Sequence, residues 1–384
     1  MSLGAVKHQG FAQRYFHRAW SEHRLAHALL FHGPDGVGKE LFARGVAEVL
    51  LCPRSAESPV DGQTAETLGC ETLLAGCGQC DDCAAVARNT HPDLHIVYRQ
   101  LHREHPDPTV RSRKGLELGI DVVRHFLIER VGLTPQRGRY KVFIVRDADR
   151  ITLQAQNSLL KTLEEPPGAT VLMLLAASLD RLLPTVLSRC QSVPFDALPA
   201  PFIRQVLGQT HPDLPNAALD WYTRQANGSL GLATREVAED RFALGQRIAV
   251  SLAEVVSPSV QGVGELWTAS AKTLAESYRK QDPDISDTEA TRRGLKIVLQ
   301  LAANGFADRL RMALETPTRR DEAVHAGRKG LTEGSAGPAQ CAHAIDVLVR
   351  AERQLDLNAY APLVMDTLLA SLAGLGTSAK GSRD

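Results

Sequence analysis

Aromatic residues make up only 5% of this 384-residue chain, and its formal net charge is zero, with 44 Lys and Arg against 44 Asp and Glu. The balance excludes a bulk polycation that coats nucleic acid, although a local basic face remains open. Long apolar runs are missing too. The longest, Val171–Ala177, falls far short of the roughly 20 residues a membrane-spanning helix needs. The opening MSLGAVKHQGFAQRYF lacks the apolar stretch of a secretory signal. Together these absences predict a cytoplasmic protein, where thiols stay reduced. What is present is ordinary globular material, 43% hydrophobic and 23% charged, enough for about two to three domains.

The seven cysteines are unevenly spread, with five of them (Cys52, Cys70, Cys77, Cys80 and Cys83) falling between residues 52 and 83. In a reducing compartment such a cluster points to a metal site and not to a disulfide framework. Cys77-Gly78-Gln79-Cys80-Asp81-Asp82-Cys83 repeats a thiol every third residue, and a tight turn can aim all three at one centre. A closed structural Zn²⁺ site needs a fourth ligand, for which Cys52 and Cys70 both compete. Such a site staples an insertion that lacks its own core. Cys190 and Cys341 read as buried apolar residues.

Hydrophobic spacing outlines an α/β region followed by an all-α region. A helix over 11–26, a strand over 27–32 and a helix over 39–51 open the chain. Residues 53–76 and the basic stretch 99–116 show no period. A helix over 120–131 and the buried strand 140–145 follow, then a helix from the N-cap Thr152 to Leu163, stopped by Pro166-Pro167, and the strand 170–176. A short helix over 184–189 and a strand over 193–195 complete the pattern. Alternating short strands and helices predict a parallel sheet covered on both faces. Beyond residue 200 only helices are expected, interrupted by a Gly- and Pro-containing connection over 316–340 and ending in a tail.

Gly33-Pro34-Asp35-Gly36-Val37-Gly38-Lys39-Glu40 follows a strand and opens a helix, the context a P-loop requires. Its glycines, Gly33, Gly36 and Gly38, let backbone N–H groups turn toward phosphate oxygens, and Lys39 would reach the β- and γ-phosphates. The position that should carry a Mg²⁺-binding Ser or Thr holds Glu40. The strand 140–145 should end in an acid that positions Mg²⁺, but Arg146 stands there, with Asp147 where a water-activating carboxylate belongs. The two departures read as separate losses of hydrolytic parts, so intrinsic ATP hydrolysis is not expected. Farther on, Ser188-Arg189-Cys190 offers an always-charged planar fork suited to a phosphate held by another subunit. The cations Arg99, Arg103, Arg111, Arg113 and Lys114 offer a weaker case for direct DNA contact.

These residues carry a family resemblance. HALLFHGPDGVGKE, the cysteine knuckle followed by Thr90-His91-Pro92-Asp93, LTPQRGRYKVFIV, QNSLLKTLEEPP over 156–167, Ser188-Arg189-Cys190 and LNAYAP over 357–362 occur in the order found in the delta-prime family of bacterial DNA polymerase III clamp-loader subunits. The chain resembles that family over most of residues 8–240 and in the closing helices. The resemblance implies an AAA+ architecture: a RecA-like P-loop domain over 1–198 with a zinc module at about 52–92, a small helical lid over 199–240, a helical collar domain over 241–374 and a disordered tail over 375–384. It implies a stator in a five-subunit ring with gamma/tau motor subunits and delta, which loads the sliding clamp on primed DNA within the DNA-directed DNA polymerase (nucleotidyltransferase) holoenzyme. Arg189, preceded by Ser188, would then complete a neighbouring motor subunit's site. The lid reads Gly228-Ser229-Leu230-Gly231, with Gly231 where a motor subunit is expected to carry Arg. Lys39 is retained, which leaves binding of ATP or ADP without hydrolysis open. By position the resemblance favours Cys52 over Cys70 as fourth zinc ligand. The alternative is an active P-loop ATPase or small kinase.

Overall fold

A computed structural model describes residues 3–59, 62, 65, 72–113, 117–252, 260–281, 285–314, 337–357 and 359–377. Cys70, Lys114 and Asn358 lie outside the described residues, as do 316–336 of the connection and 378–384 of the tail. The chain divides into two compact units, Met1–Arg235 and Glu236–Asp384.

The first unit is built on five parallel strands, β1 (Ala28–His32), β4 (Leu94–Val97), β5 (Lys141–Val145), β6 (Thr170–Ala176) and β7 (Gln191–Pro194), in the order β4-β5-β6-β1-β7. β5 and β6 are buried at every position, which is why they read as unbroken apolar runs. One strand, β6, separates β1 from β5. Helix α1 (Gly10–Ser21) precedes β1, and α2 (Lys39–Leu51) follows it. One side of the sheet buries Leu30, Phe143, Leu172 and Leu174 against Val123, Leu127, Ala155, Leu159 and Leu163. The scarce aromatics are concentrated behind the P-loop helix. Phe31, Phe42 and Phe195 meet at ring-centroid distances of 5.4–5.5 Å, which fixes α2 against β1 and the end of β7.

Several expectations change in detail. The stretch read as lacking a period contains an antiparallel pair, β2 (Ala56–Pro59) with β3 (Thr72–Ala75). β4 was not visible in the sequence at all. Residues 99–116 include a 3₁₀ turn over Arg99–Glu104 and a helical turn over Pro108–Arg111. Thr152 caps the helix Leu153–Glu164 as expected, its side chain accepting from the Ala155 N–H.

The described elements of the second unit are all helices, including Arg241–Ser251, Val260–Gln281, Asp287–Leu314, Pro338–Asp356 and Ala361–Thr377. Trp267 is fully buried and donates to Ser251 Oγ at 3.0 Å. The last helix runs to Thr377, into the stretch 375–384 expected to be a disordered tail. Leu368, Leu372 and Leu375 keep the helical spacing there, and a glycine costs only about 1 kcal/mol.

Candidate functional site

The loop Gly33–Gly38 leaves the C-terminal end of β1 and delivers Lys39 as the first residue of α2. The Lys39 ammonium is turned back into its own loop. Nζ donates to the carbonyls of Gly33 at 2.5 Å and Pro34 at 2.7 Å and lies 3.4 Å from Asp35 Oδ1. The side chain is only 7% exposed, and burial lowers its pKa despite the nearby acids.

Glu40 and Arg146 prove not to be separate losses. The Glu40 carboxylate accepts from the Arg146 guanidinium, 106 residues away, and from Arg44 Nε and Nη2 at 2.9 and 2.8 Å. Arg146 also lies over the Tyr98 ring, 5.5 Å from its centroid. An ion pair thus joins the start of α2 to the end of β5, the two places from which a P-loop ATPase holds Mg²⁺. A carboxylate already engaged by two guanidiniums, with a cation in place of the second acid, does not fit a divalent metal. Asp147, at the position of a water-activating carboxylate, lies 3.6 Å from Arg99. Because Glu40 and Arg146 are each about a third exposed, a double-mutant cycle of Glu40→Gln and Arg146→Gln should return a coupling of about 0.5–1 kcal/mol in urea unfolding. Additive losses would show that the pair does not form in solution.

Gly231 is more than a missing arginine. Its N–H donates to the Gly36 carbonyl at 2.9 Å. A Cβ added at Gly231 would sit 2.8 Å from Gly36 Cα, and one added at Gly36 would sit 2.4 Å from Ser229 Oγ. The start of the helix Leu230–Ala238 is therefore seated on the P-loop backbone, and only glycine allows that approach on either side.

Arg189 follows the short helix Pro184–Leu187 at the edge of the same unit. Its Nε donates to Glu164 Oε1 at 2.5 Å, a second guanidinium nitrogen reaches the same oxygen, and Nη1 donates to the Thr185 carbonyl at 2.9 Å. The side chain retains 31% exposure. Ser188 Oγ donates to the Thr185 carbonyl at 3.2 Å, closing the helix end. Cys190 packs beneath, and burial raises its thiol to about 12. Cys341 is buried in the second unit.

The knuckle closes on Cys52, the residue that follows α2. The sulfurs of Cys52, Cys77, Cys80 and Cys83 all lie within 4.8 Å of one another, with Cys52 to Cys80 at 3.8 Å and Cys77 to Cys83 at 4.0 Å. A tetrahedral ion with Zn–S bonds of about 2.3 Å spaces its sulfurs about 3.8 Å apart. Four thiols fill that set and leave no place for a fifth ligand. The Cys77 N–H points at Cys52 Sγ and the Cys83 N–H at Cys80 Sγ, both at 3.4 Å. The Gln79 N–H, helped by that of Cys80, lowers Cys77 to about 6, while burial raises Cys83 and Cys52. This donor set could hold a metal ion and fits structural zinc.

Two motif segments owe their composition to the scaffold. Asp93 accepts from the N–H groups of Gln136, Arg137 and Gly138 at 2.6–2.9 Å. Burial opposes its ionisation, but these donors outweigh it and hold the carboxyl below its usual range. Buried Gln156 donates to the carbonyls of Ile151 and Arg181 and accepts from the Leu183 N–H. Neither role is readable without the fold. In the basic stretch, Arg99 is near Asp147, Arg113 pairs with Asp121 at 2.5 Å, and Arg111 donates to the carbonyls of His105 and Pro106.

A glycine loop between β1 and α2, with one strand separating β1 from β5, defines a P-loop module with the RecA-like strand arrangement. The family model described as "DNA polymerase III, delta subunit" matches residues 8–199, half of the chain, and the chain belongs to that family. It is 34% identical over 257 residues to the DNA polymerase III subunit delta' of Pseudomonas aeruginosa, covering 66% of each chain. Identity to the delta' subunit of Bacillus subtilis is 32% over 175 residues, 46% of this chain and 44% of that one. Subunit tau of Escherichia coli matches at 32% over 213 residues, 54% of this chain and 28% of that one. The matched stretches thus span less than two thirds of these relatives' own length.

Proposed function

We propose that this chain is a delta-prime-type stator of a DNA polymerase III clamp loader, which assembles with gamma/tau motor subunits and delta in a hetero-pentamer and helps place the sliding clamp on primed DNA. It turns over no ATP itself. The observation that carries this reading is the Glu40–Arg146 ion pair, which replaces both metal-positioning groups by side chains that satisfy each other. The lid backbone seated on Gly36 and the Lys39 ammonium bonded to its own loop support the same conclusion. ATP or ADP could be held at Gly33, Gly36, Gly38 and Lys39 only after Lys39 leaves those carbonyls.

The contribution to catalysis is made in trans. Arg189, supported by Ser188, is the finger directed at the γ-phosphate of a neighbouring motor subunit. Cys52, Cys77, Cys80 and Cys83 hold structural zinc. Residues 1–198 form the P-loop domain, 199–240 its lid, and 241–374 the collar through which the ring assembles. Purified isolated chain, given ATP, Mg²⁺ and primed DNA, should release phosphate no faster than the buffer control. Turnover that is lost in Lys39→Ala would instead identify an active motor ATPase.

A further inference from the structure

The helix Leu153–Glu164 grips the finger segment at both of its ends. Near the start, Gln156, 1% exposed, bonds to Arg181 and Leu183 at 3.0 and 2.8 Å and so fixes the turn that leads into Pro184–Leu187. At the last residue, just ahead of Pro166-Pro167, the Glu164 carboxylate takes Arg189 Nε and a second nitrogen on one oxygen. Nη1 is spent on the Thr185 carbonyl at 2.9 Å and lies 3.4 Å from Ser188 Oγ. A guanidinium has five N–H donors, and this one directs most of them at its own chain. Its charge is also balanced by a carboxylate in direct contact, so it offers little field to an incoming phosphate.

We infer that Glu164 is a latch that parks Arg189 in cis, and that the finger reaches a partner's phosphate only by exchanging Glu164 for it. The inference rests on the trans-acting role proposed above. Gln156 sets the base of the segment and Glu164 sets the state of its tip. Both Arg189 and Glu164 keep solvent exposure, 31% and 48%. A pair of that kind is weak enough to be exchanged for a phosphate, whose charge is higher than that of one carboxylate. The latch therefore sets how much finger is available before the ring closes on clamp and DNA. It makes Glu164 a positioning residue, since it touches the guanidinium and not the reacting atoms.

The test uses the reconstituted loader with its motor and delta subunits, and reads ATPase without clamp or DNA. Glu164→Gln should raise this basal rate about two- to fivefold, and Glu164→Ala at least as much, because the finger is no longer neutralised. Neither change should matter when Arg189→Ala is also present. Damage to the fold would lower the rate, so a rise that needs Arg189 has no merely structural explanation. An unchanged or lower rate in both Glu164 variants, with Arg189→Ala still depressing the stimulated rate, would overturn the latch and leave the finger standing. A stimulated rate unaffected by Arg189→Ala would overturn the finger and the latch with it.

Discussion

Cys77→Ser should strip the chain of its metal, from about one zinc per chain to none, and loosen everything between Cys52 and Val86. The segment has little else to hold it. Its described buried apolar residues are Leu73, Leu74, Ala75, Cys83 and Val86, and β2 is exposed along its whole length. Its helix, Asp81–Ala87, has seven residues, too few to persist alone. Zinc binding contributes apparent free energies of about 10–16 kcal/mol in small metal-folded domains. Losing one of four thiolates should therefore outweigh any single core truncation here, which costs about 2–5 kcal/mol. The sheet core should survive, because Phe31, Phe42 and Phe195 pack independently of the sulfurs. Metal analysis joined to limited proteolysis checks both halves, with cleavage confined to 52–92 in Cys77→Ser. Thiols must lose protons to bind, so protons compete with the metal for all four sulfurs. Acidification should thus release the metal before the sheet unfolds. Metal-free protein purified under reducing conditions without chelator would remove the site.

Arg189→Ala should leave the subunit folded and able to assemble, yet depress the clamp- and DNA-stimulated ATPase of the loader. Phosphoryl transfer spreads negative charge over the γ-phosphate oxygens, and a positioned guanidinium stabilises that charge. Where a finger is the sole donor, its removal costs roughly a thousandfold or more in turnover. A ring has several motor sites with separate donors, so the loss falls on one interface and the complex keeps the remainder. Stability should shift by no more than about 1 kcal/mol, since only a partly exposed ion pair to Glu164 and an exposed hydrogen bond to the Thr185 carbonyl are removed. Arg189→Lys should not rescue, because an ammonium cannot reproduce the planar fork.

The parts of this molecule that follow a local pattern were legible in the sequence. β5 and β6 are buried on both faces and so read as apolar runs, and the P-loop declares itself by spacing alone. β4 escaped because it has four residues, one of them His95, and β2 because Ala56-Glu57-Ser58-Pro59 is polar and ends in proline. The candidate site was legible by composition but not by geometry. Glu40 and Arg146 looked like two unconnected departures, because local sequence pattern cannot show that positions 106 residues apart meet in the fold. Gly231 looked like a deletion of function, whereas its place is set by contact with Gly36. Asp93, Gln156 and Glu164 lay inside matching motifs without a stated reason. Their partners are backbone groups and a guanidinium brought near only by the sheet crossovers.

A subunit that acts in trans and hydrolyses nothing makes two of its own residues behave oppositely. The decisive measurement is the clamp- and DNA-stimulated ATPase of two reconstituted loaders, side by side, one carrying Lys39→Ala and the other Arg189→Ala in this chain. The trans-acting stator predicts a Lys39→Ala rate close to wild type and an Arg189→Ala rate well below it. A depressed Lys39→Ala loader beside a fully active Arg189→Ala loader would contradict it, and would make this chain a motor.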